Sequence, residues 1–336
     1  MATYKGIQGY SVQTLASDPS PTASVEGQLW YNSTSGAYKI AVSGTAGWAA
    51  GADQNAPLTG RGGAGPATAT INFGGATAIT PSGNVGNAET YDGTTWTEVN
   101  NLTGSRRYLD SAQQGTQTAA LAISGTTGPS DVLVCETYNG TSWTEVGDTN
   151  VNHQSGAGAG TSTAALAITA GAGGSPKQDV ESWNGTAWTQ IADLVSAANM
   201  IGGAGSQTAA LRFTGQPPAP PYYTGFTETW NGTSWTETNN TNTARYQPGG
   251  AGTSTLAIVT GGDVEPRPAV TANTETWNGT SWTEVGNLGT ARKSVSSSGT
   301  TSSAIVGGGE GPIGTILDTT EIWSDPFYAV KTVTVS

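Results

Sequence analysis

An aromatic residue recurs in this chain at a nearly constant interval. Tyr91, Tyr138, Trp183, Trp230, Trp277 and Trp323 follow one another at steps of 47, 45, 47, 47 and 46 residues. A second series, Trp96, Trp143, Trp188, Trp235 and Trp282, keeps the same steps. Between the two aromatics lies an Asn-Gly or Asp-Gly pair, as in TETWNGTSWTE, which occurs letter for letter at 227–237 and 274–284. A repeat of this length signals one supersecondary unit stacked several times, in which no unit buries its faces alone.

Each unit reads as four antiparallel strands. Upstream of each aromatic pair stands an apolar run ending near Gly, as in AALAISG (119–125), AALAITAG (164–171) and LAIVTGG (256–262). Before the run, except in the first unit, comes a stretch of small residues such as SGAGAGTST (155–163). The order predicts a small-residue inner strand, an apolar second strand, a variable loop, and an outer hairpin turned by Asn-Gly, which supplies positive φ. Gly and Ala fit where strands crowd an axis, and the aromatics are expected to fill the seams between units. Six units would occupy 61–336 as a six-bladed, all-β propeller of four-stranded blades.

Composition narrows the function classes. The chain of 336 residues has 49 Gly, 12 Lys and Arg against 24 Asp and Glu, a net charge of −12, one His and one Cys. Twelve scattered bases supply no basic stripe for nucleic acid. No apolar run approaches 18 residues, so no membrane insertion is expected. The opening MATYKGIQGYSVQ lacks the pattern of a signal peptide. Cys135 has no partner within the chain and reads as a small core residue.

A Gly pair after an apolar strand, then an aromatic, then a Trp five residues on resembles the kelch repeat of β-propellers. The wording GAGTSTAALAI and TETWNGTSWTEV is similar to Gly- and Thr-rich kelch-like repeats of phage and marine microbial proteins, over about four fifths of the chain. Some copies reduce the double Gly, as in AISG and RFTG. Residues 1–60 break the period. SDPSPTASVEGQLWYNSTSGAYKIAVSGTAGWAAG (17–51) resembles the opening of phage tail and fibre proteins. That resemblance implies an attachment segment that contacts other virion proteins. The plainer reading is a β-hairpin that helps close the propeller. Closure is needed because the sixth unit lacks the second hairpin aromatic, and either VKTVTV (330–335) or residues near Tyr38–Val42 could supply the outer strand.

No catalytic set emerges. Kelch-family copper oxidases need paired His ligands, and this chain has only His153. DGTTW (92–96) faintly resembles a sialidase Asp-box, but the other copies carry Asn and the inner strands are Gly and Ala. No P-loop, nucleophile elbow or zinc-spaced set is present. The expectation is therefore a non-enzymatic protein without cofactor or metal. The NGT triplets at Asn139, Asn184, Asn231 and Asn278 match glycosylation sequons, but a hairpin turn explains them better.

Recognition is expected where the copies disagree. In a four-stranded meander the second–third loops and the inter-unit links share one face. That face carries QPPAPPYYTGF (216–226) with Tyr222, Tyr223 and Phe226, DVEPRPAVTA (263–272) with Arg267, and links bearing Arg106, Arg107, Tyr108, His153, Arg245, Tyr246, Arg292 and Lys293. Loops on a rigid scaffold commonly carry binding. Candidate binding residues are Tyr222, Tyr223, Phe226, Arg245, Tyr246, Arg107, Tyr108 and Arg267. The link arginines have a second reading, bonding strand-end carbonyls between units. The expected function is a phage virion protein of tail or fibre type, assembled in the host cytoplasm, that binds host-surface glycan or protein. A capsid or tail decoration protein contacting other virion proteins is the alternative.

Overall fold

The computed structural model describes residues 12–20, 27–44, 46–78, 80, 83–128, 130–168, 175–266, 268–325 and 328–333. The chain forms two compact units, one of residues 1–46 with 325–336, the other of Gly47–Ser324. The expected boundary at residue 60 therefore moves. Residues 47–60 belong with the repeats, and the last dozen residues belong with the N-terminal segment.

The larger unit holds six four-stranded sheets, called blades here, with strands a to d from the inside outwards. Blade 1 is Gly62–Ala64, Thr70–Phe73, Ala88–Tyr91 and Trp96–Val99; blade 2 is Asp110–Ser111, Ala120–Ile123, Cys135–Tyr138 and Trp143–Val146. Blade 3 is Ala157–Thr161, Ala164–Ile168, Val180–Trp183 and Trp188–Gln190; blade 4 is Gly202–Gly205, Ala210–Gly215, Thr224–Trp230 and Trp235–Thr238. Blade 5 is Gly249–Gly252, Ala257–Thr260, Thr274–Trp277 and Trp282–Val285. Blade 6 is Ser296–Gly299, Ser303–Gly307 and Thr320–Ser324, and its strand d is Gly47–Ala50. The a strands touch in cyclic order, the sixth meeting the first, which makes the unit an all-β propeller.

Closure differs from both expectations. Gly47–Ala50 pairs with Thr320–Ser324, setting Trp48 opposite Trp323 as the missing aromatic pair. The two segments expected to compete for that place pair with each other. Ala37–Ser43 and Tyr328–Thr332 are antiparallel neighbours in the smaller unit. That unit's sheet also contains Leu29–Asn32 and a parallel strand, Gln13–Leu15. Its buried Trp30 donates to Asp18 at 3.0 Å, and Asn32 donates to the same carboxylate oxygen at 2.6 Å.

The repeated motif does the structural work expected of it. Each aromatic pair stacks at 5.0 to 5.4 Å across its hairpin in blades 1 to 5. The second aromatic then reaches the neighbouring blade: Trp143 meets Phe73 at 4.8 Å and Trp282 meets Phe213 at 5.2 Å. In the turns, the Asn231 and Asn278 side-chain oxygens each accept two backbone N–H bonds at 2.9 Å. The following Gly232 and Gly279 sit at φ 92° and 90°. Crowding at the axis accounts for the small residues: a Cβ on Gly158 would fall 2.2 Å from the Ser111 carbonyl oxygen.

One backbone feature runs through all six links. Gly60, Tyr108, Ser155, Met200, Gln247 and Ser294 all adopt positive φ, between 51° and 66°. Each donates its N–H to the carbonyl of the one before, at 2.7 to 3.0 Å, and Gly60 donates to Ser294. The result is a closed circle of six amides around one mouth of the axis.

Candidate functional site

Under the link face lies a second sixfold series that the sequence reading overlooked. Glu89, Glu136, Glu181, Glu228, Glu275 and Glu321 stand two residues before the first aromatic of each unit, and all are buried. Each accepts a backbone N–H from the preceding link, from Asn55, Thr103, Asn150, Val195, Asn242 and Gly289, at 2.6 to 3.0 Å. Each also meets a buried basic side chain. Arg61 pairs with Glu89 at 3.0 Å, His153 with Glu181 at 3.0 Å and Arg292 with Glu321 at 2.8 Å. Arg106 pairs with Glu136, and Arg245 with Glu275. In blade 4 the link position holds Ala198, and Arg212 of strand b pairs with Glu228 instead. The signal was legible: six glutamates at unit spacing, in a chain with few charges.

This series decides the fate of the link arginines. Arg245 is fully buried; it donates to the Gly261 and Asn273 carbonyls and to Glu275. Its expected role in binding is therefore corrected: the guanidinium bonds strand-end carbonyls, as the alternative reading held, but those of blade 5 alone, which its own link leads into. Burial lowers the pKa of Arg61, Arg212, Arg245 and Arg292, and the paired glutamate opposes that shift. For Glu181 burial pushes the carboxyl up, but hydrogen bonds from His153 and Asn150 outweigh it and hold the pKa below its ordinary value.

The remaining candidates separate into scaffold and surface. Arg107 is buried, donates to the Ala78 and Thr80 carbonyls, and lies 5.0 Å from the Tyr108 ring centre. Tyr108 is half-buried, and burial raises its pKa. Tyr223 and Tyr246 stack at 5.1 Å, and both hydroxyls reach Asp263, at 3.4 and 2.9 Å. Asp263 also takes a bond from Lys293 at 2.9 Å. The two tyrosines are 4% and 6% exposed, so they act as a buried support rather than a free contact surface. Arg267 lies outside the described residues.

Tyr222 and Phe226 do face outwards, at 48% and 37% exposure. Phe226 is in strand c of blade 4, because that strand starts at Thr224, inside the segment expected to be a loop. Beside Tyr222 lies a cleft of about 450 Å³ at the seam of blades 4 and 5. Its walls are Pro221, Tyr222 and Tyr223 from one blade, Thr243 and Ala244 from the link, and Val264 and Glu265 from the next blade. The arrangement sets the ring of Tyr222 and the side chain of Glu265 in the walls of one cleft.

A different kind of place lies on the axis. Asp110 of strand a in blade 2 is 4% exposed, accepts a backbone bond from Gly156, and is pushed well above the usual carboxylate range by burial. The sequence reading expected only small residues there; blade 2 departs from it. Cys135 is buried as expected, and burial pushes its thiol up to about 12.

No protein-family model and no curated protein matches the chain. Among solved structures, the one titled "Structure of YjhT" aligns with a TM-score of 0.65 at 11% identity, covering 83% of this chain and 99% of that one. At that identity the likeness concerns the fold, and it agrees with the ring of sheets in placing this chain among the β-propellers.

Proposed function

We propose that this chain is a non-enzymatic, kelch-like virion protein of the tail or fibre type that recognises a host-surface glycan or protein. The observation that carries the reading is exposed Tyr222 on the seam cleft with exposed Phe226 four residues on, in a propeller whose paired hairpin aromatics are spent on packing. Exposed aromatics on a rigid support make contact area at small entropic cost. The Tyr223–Tyr246–Asp263–Lys293 cluster beneath supplies that support.

The non-enzymatic part rests on chemistry. The chain's one histidine is buried against Glu181, and Glu275 and Glu321 of the same series are paired with Arg245 and Arg292. The virion part rests on the likeness of GQLWYN and its flanks to tail and fibre proteins.

Two experiments test the reading. Fluorescently labelled full-length protein should bind host cells, and Tyr222→Ala with Phe226→Ala should weaken that binding at least tenfold; unchanged binding refutes the site. Mass spectrometry and immuno-electron microscopy of intact particles should find the protein on the virion. Its absence from particles refutes the location.

A further inference from the structure

We propose that the axial chamber beside blade 2 binds a calcium ion through Asp110 and Gln113. The argument starts from what the other five blades have in common. At the register of Asp110 they carry Gly62, Ala157, Gly202, Gly249 and Ser296. At the register of Gln113 all five carry glycine: Gly65, Gly160, Gly205, Gly252 and Gly299. Those glycines sit at φ between 100° and 113°, a region that side-chain-bearing residues avoid. Blade 2 gives up that conformation, and its strand a shrinks to two residues. A scaffold that repeats small residues in five copies does not need a carboxylate and an amide in the sixth. Their presence calls for a partner.

The two side chains are also left with unused oxygens. Asp110 Oδ2 and Gln113 Oε1 are buried and have no hydrogen-bond donor within the protein. Buried acceptors without a donor or cation cost about 1–3 kcal/mol each. Both residues line the chamber, whose two adjoining compartments of about 80 and 90 Å³ share Asp110 as a wall. A water-sized occupant needs about 10–15 Å³ of such space. At one end, Gln114 reaches across the axis from blade 2 to donate to the Gly252 carbonyl of blade 5 at 3.4 Å. At the other, Tyr108 hydrogen-bonds Gln247, again between the blade 2 and blade 5 links.

The donor set selects the ion class. A carboxylate oxygen and an amide oxygen, completed by backbone carbonyls and water, suit a hard cation with flexible geometry, which is calcium. Thiolate and imidazole ligands for transition metals do not line this chamber. A single carboxylate places the site at the weak end of calcium affinities, around 10⁻⁴–10⁻³ M. Arg61 also borders the chamber, but its charge is matched by Glu89 at 3.0 Å.

The test uses full-length protein stripped with EDTA. Thermal unfolding is followed in 10 mM calcium chloride and in sodium and magnesium chloride of equal ionic strength, for wild type, Asp110→Asn and Gln113→Gly. Ten millimolar is roughly 10–100 times the expected Kd, enough to raise Tm by several degrees. The expected result is a calcium-specific rise that is absent in Asp110→Asn and is reduced in Gln113→Gly. Isothermal titration should give one site in wild type. No calcium-specific rise in wild type, as for a chamber that holds water alone, overturns the proposal. So does a rise that Asp110→Asn retains.

Discussion

Gly60 donates its amide hydrogen to the carbonyl of Ser294 at 2.9 Å, and that bond closes the circle of six link amides. Every link gives one donor and one acceptor to its neighbours, so the circle counts the blades and fixes their spacing. Five of its members are not glycine and tolerate φ between 51° and 59°. Left-handed backbone costs such residues roughly 1–2 kcal/mol each, so the surrounding packing over-determines them.

Gly60→Ala should destabilise the protein by about 1–3 kcal/mol, combining the left-handed penalty with a steric one. A Cβ there would meet the Tyr108 ring at 2.9 Å and its amide nitrogen at 3.2 Å. Ser294→Gly, at the other end of the same bond, should stay within about 1 kcal/mol of wild type, since it relieves strain while adding chain entropy. Urea unfolding of the two variants gives the comparison directly.

The glutamate series predicts a suppressor. Arg212→Ala leaves Glu228 buried and unpaired and should cost about 3–5 kcal/mol. Ala198 holds the place taken by Arg245 and Arg292 in the next two links. Adding Ala198→Arg to Arg212→Ala should therefore recover part of the loss. No recovery would show that blade 4 has adapted around its strand b arginine.

Two acids should shape the pH profile in opposite senses. Glu181 has a lowered pKa in the folded state, set by burial opposed and outweighed by bonds from His153 and Asn150. Its contribution is present above the unfolded carboxylate range and is lost as pH falls through the folded value. Glu181→Gln should flatten the acid limb of a stability curve. Asp110 has a raised pKa because it is buried. Its contribution is full below the unfolded value and is lost as pH rises through the folded one. In calcium-free buffer, Asp110→Asn should match wild type near pH 3 and be more stable at pH 8. Chemical denaturation across pH 3–8 checks both signs.

Truncation should separate the two compact units. Removing residues 1–46 leaves strand d of blade 6, Asn55 on Glu89, and Gly60 in the circle. That chain should keep a cooperative thermal transition and its near-ultraviolet tryptophan signal. Removing residues 1–60 deletes all three features, and the transition should be lost. Equal behaviour of the two truncations would contradict the placement of Gly47–Ala50 in the sixth blade.

The propeller was readable in the sequence because period, turn residue and seam aromatic all coincide in each copy. TETWNGTSWTE names its own hairpin: Asn278 caps the turn, Gly279 takes positive φ, and Trp277 stacks on Trp282. What escaped was of two kinds. The partner of Thr320–Ser324 comes from Gly47–Ala50, and no local pattern marks a pairing that spans the whole ring. The roles of Arg245 and Tyr223 were misjudged because a charge or an aromatic in a variable segment looks the same in sequence whether it turns in or out. Burial distinguished them, leaving Tyr222 and Phe226 as the outward pair. Asp110 was hidden by the regularity of its neighbours, although a carboxylate among glycines is itself a departure that could have been noticed.

The sixth blade also imposes an order in time. Ala50 leaves the ribosome long before Glu321, the residue it pairs with, has been made. Until then the nascent chain carries an open arc with two bare strand edges, one at Gly47–Ala50 and one waiting for Thr320–Ser324. Such edges invite pairing with other chains, and ring closure across so long a contour is entropically slow. Assembly of this molecule is thus a race between its own last blade and its neighbours, and a chaperone that shields the edge during synthesis would decide the yield of closed rings.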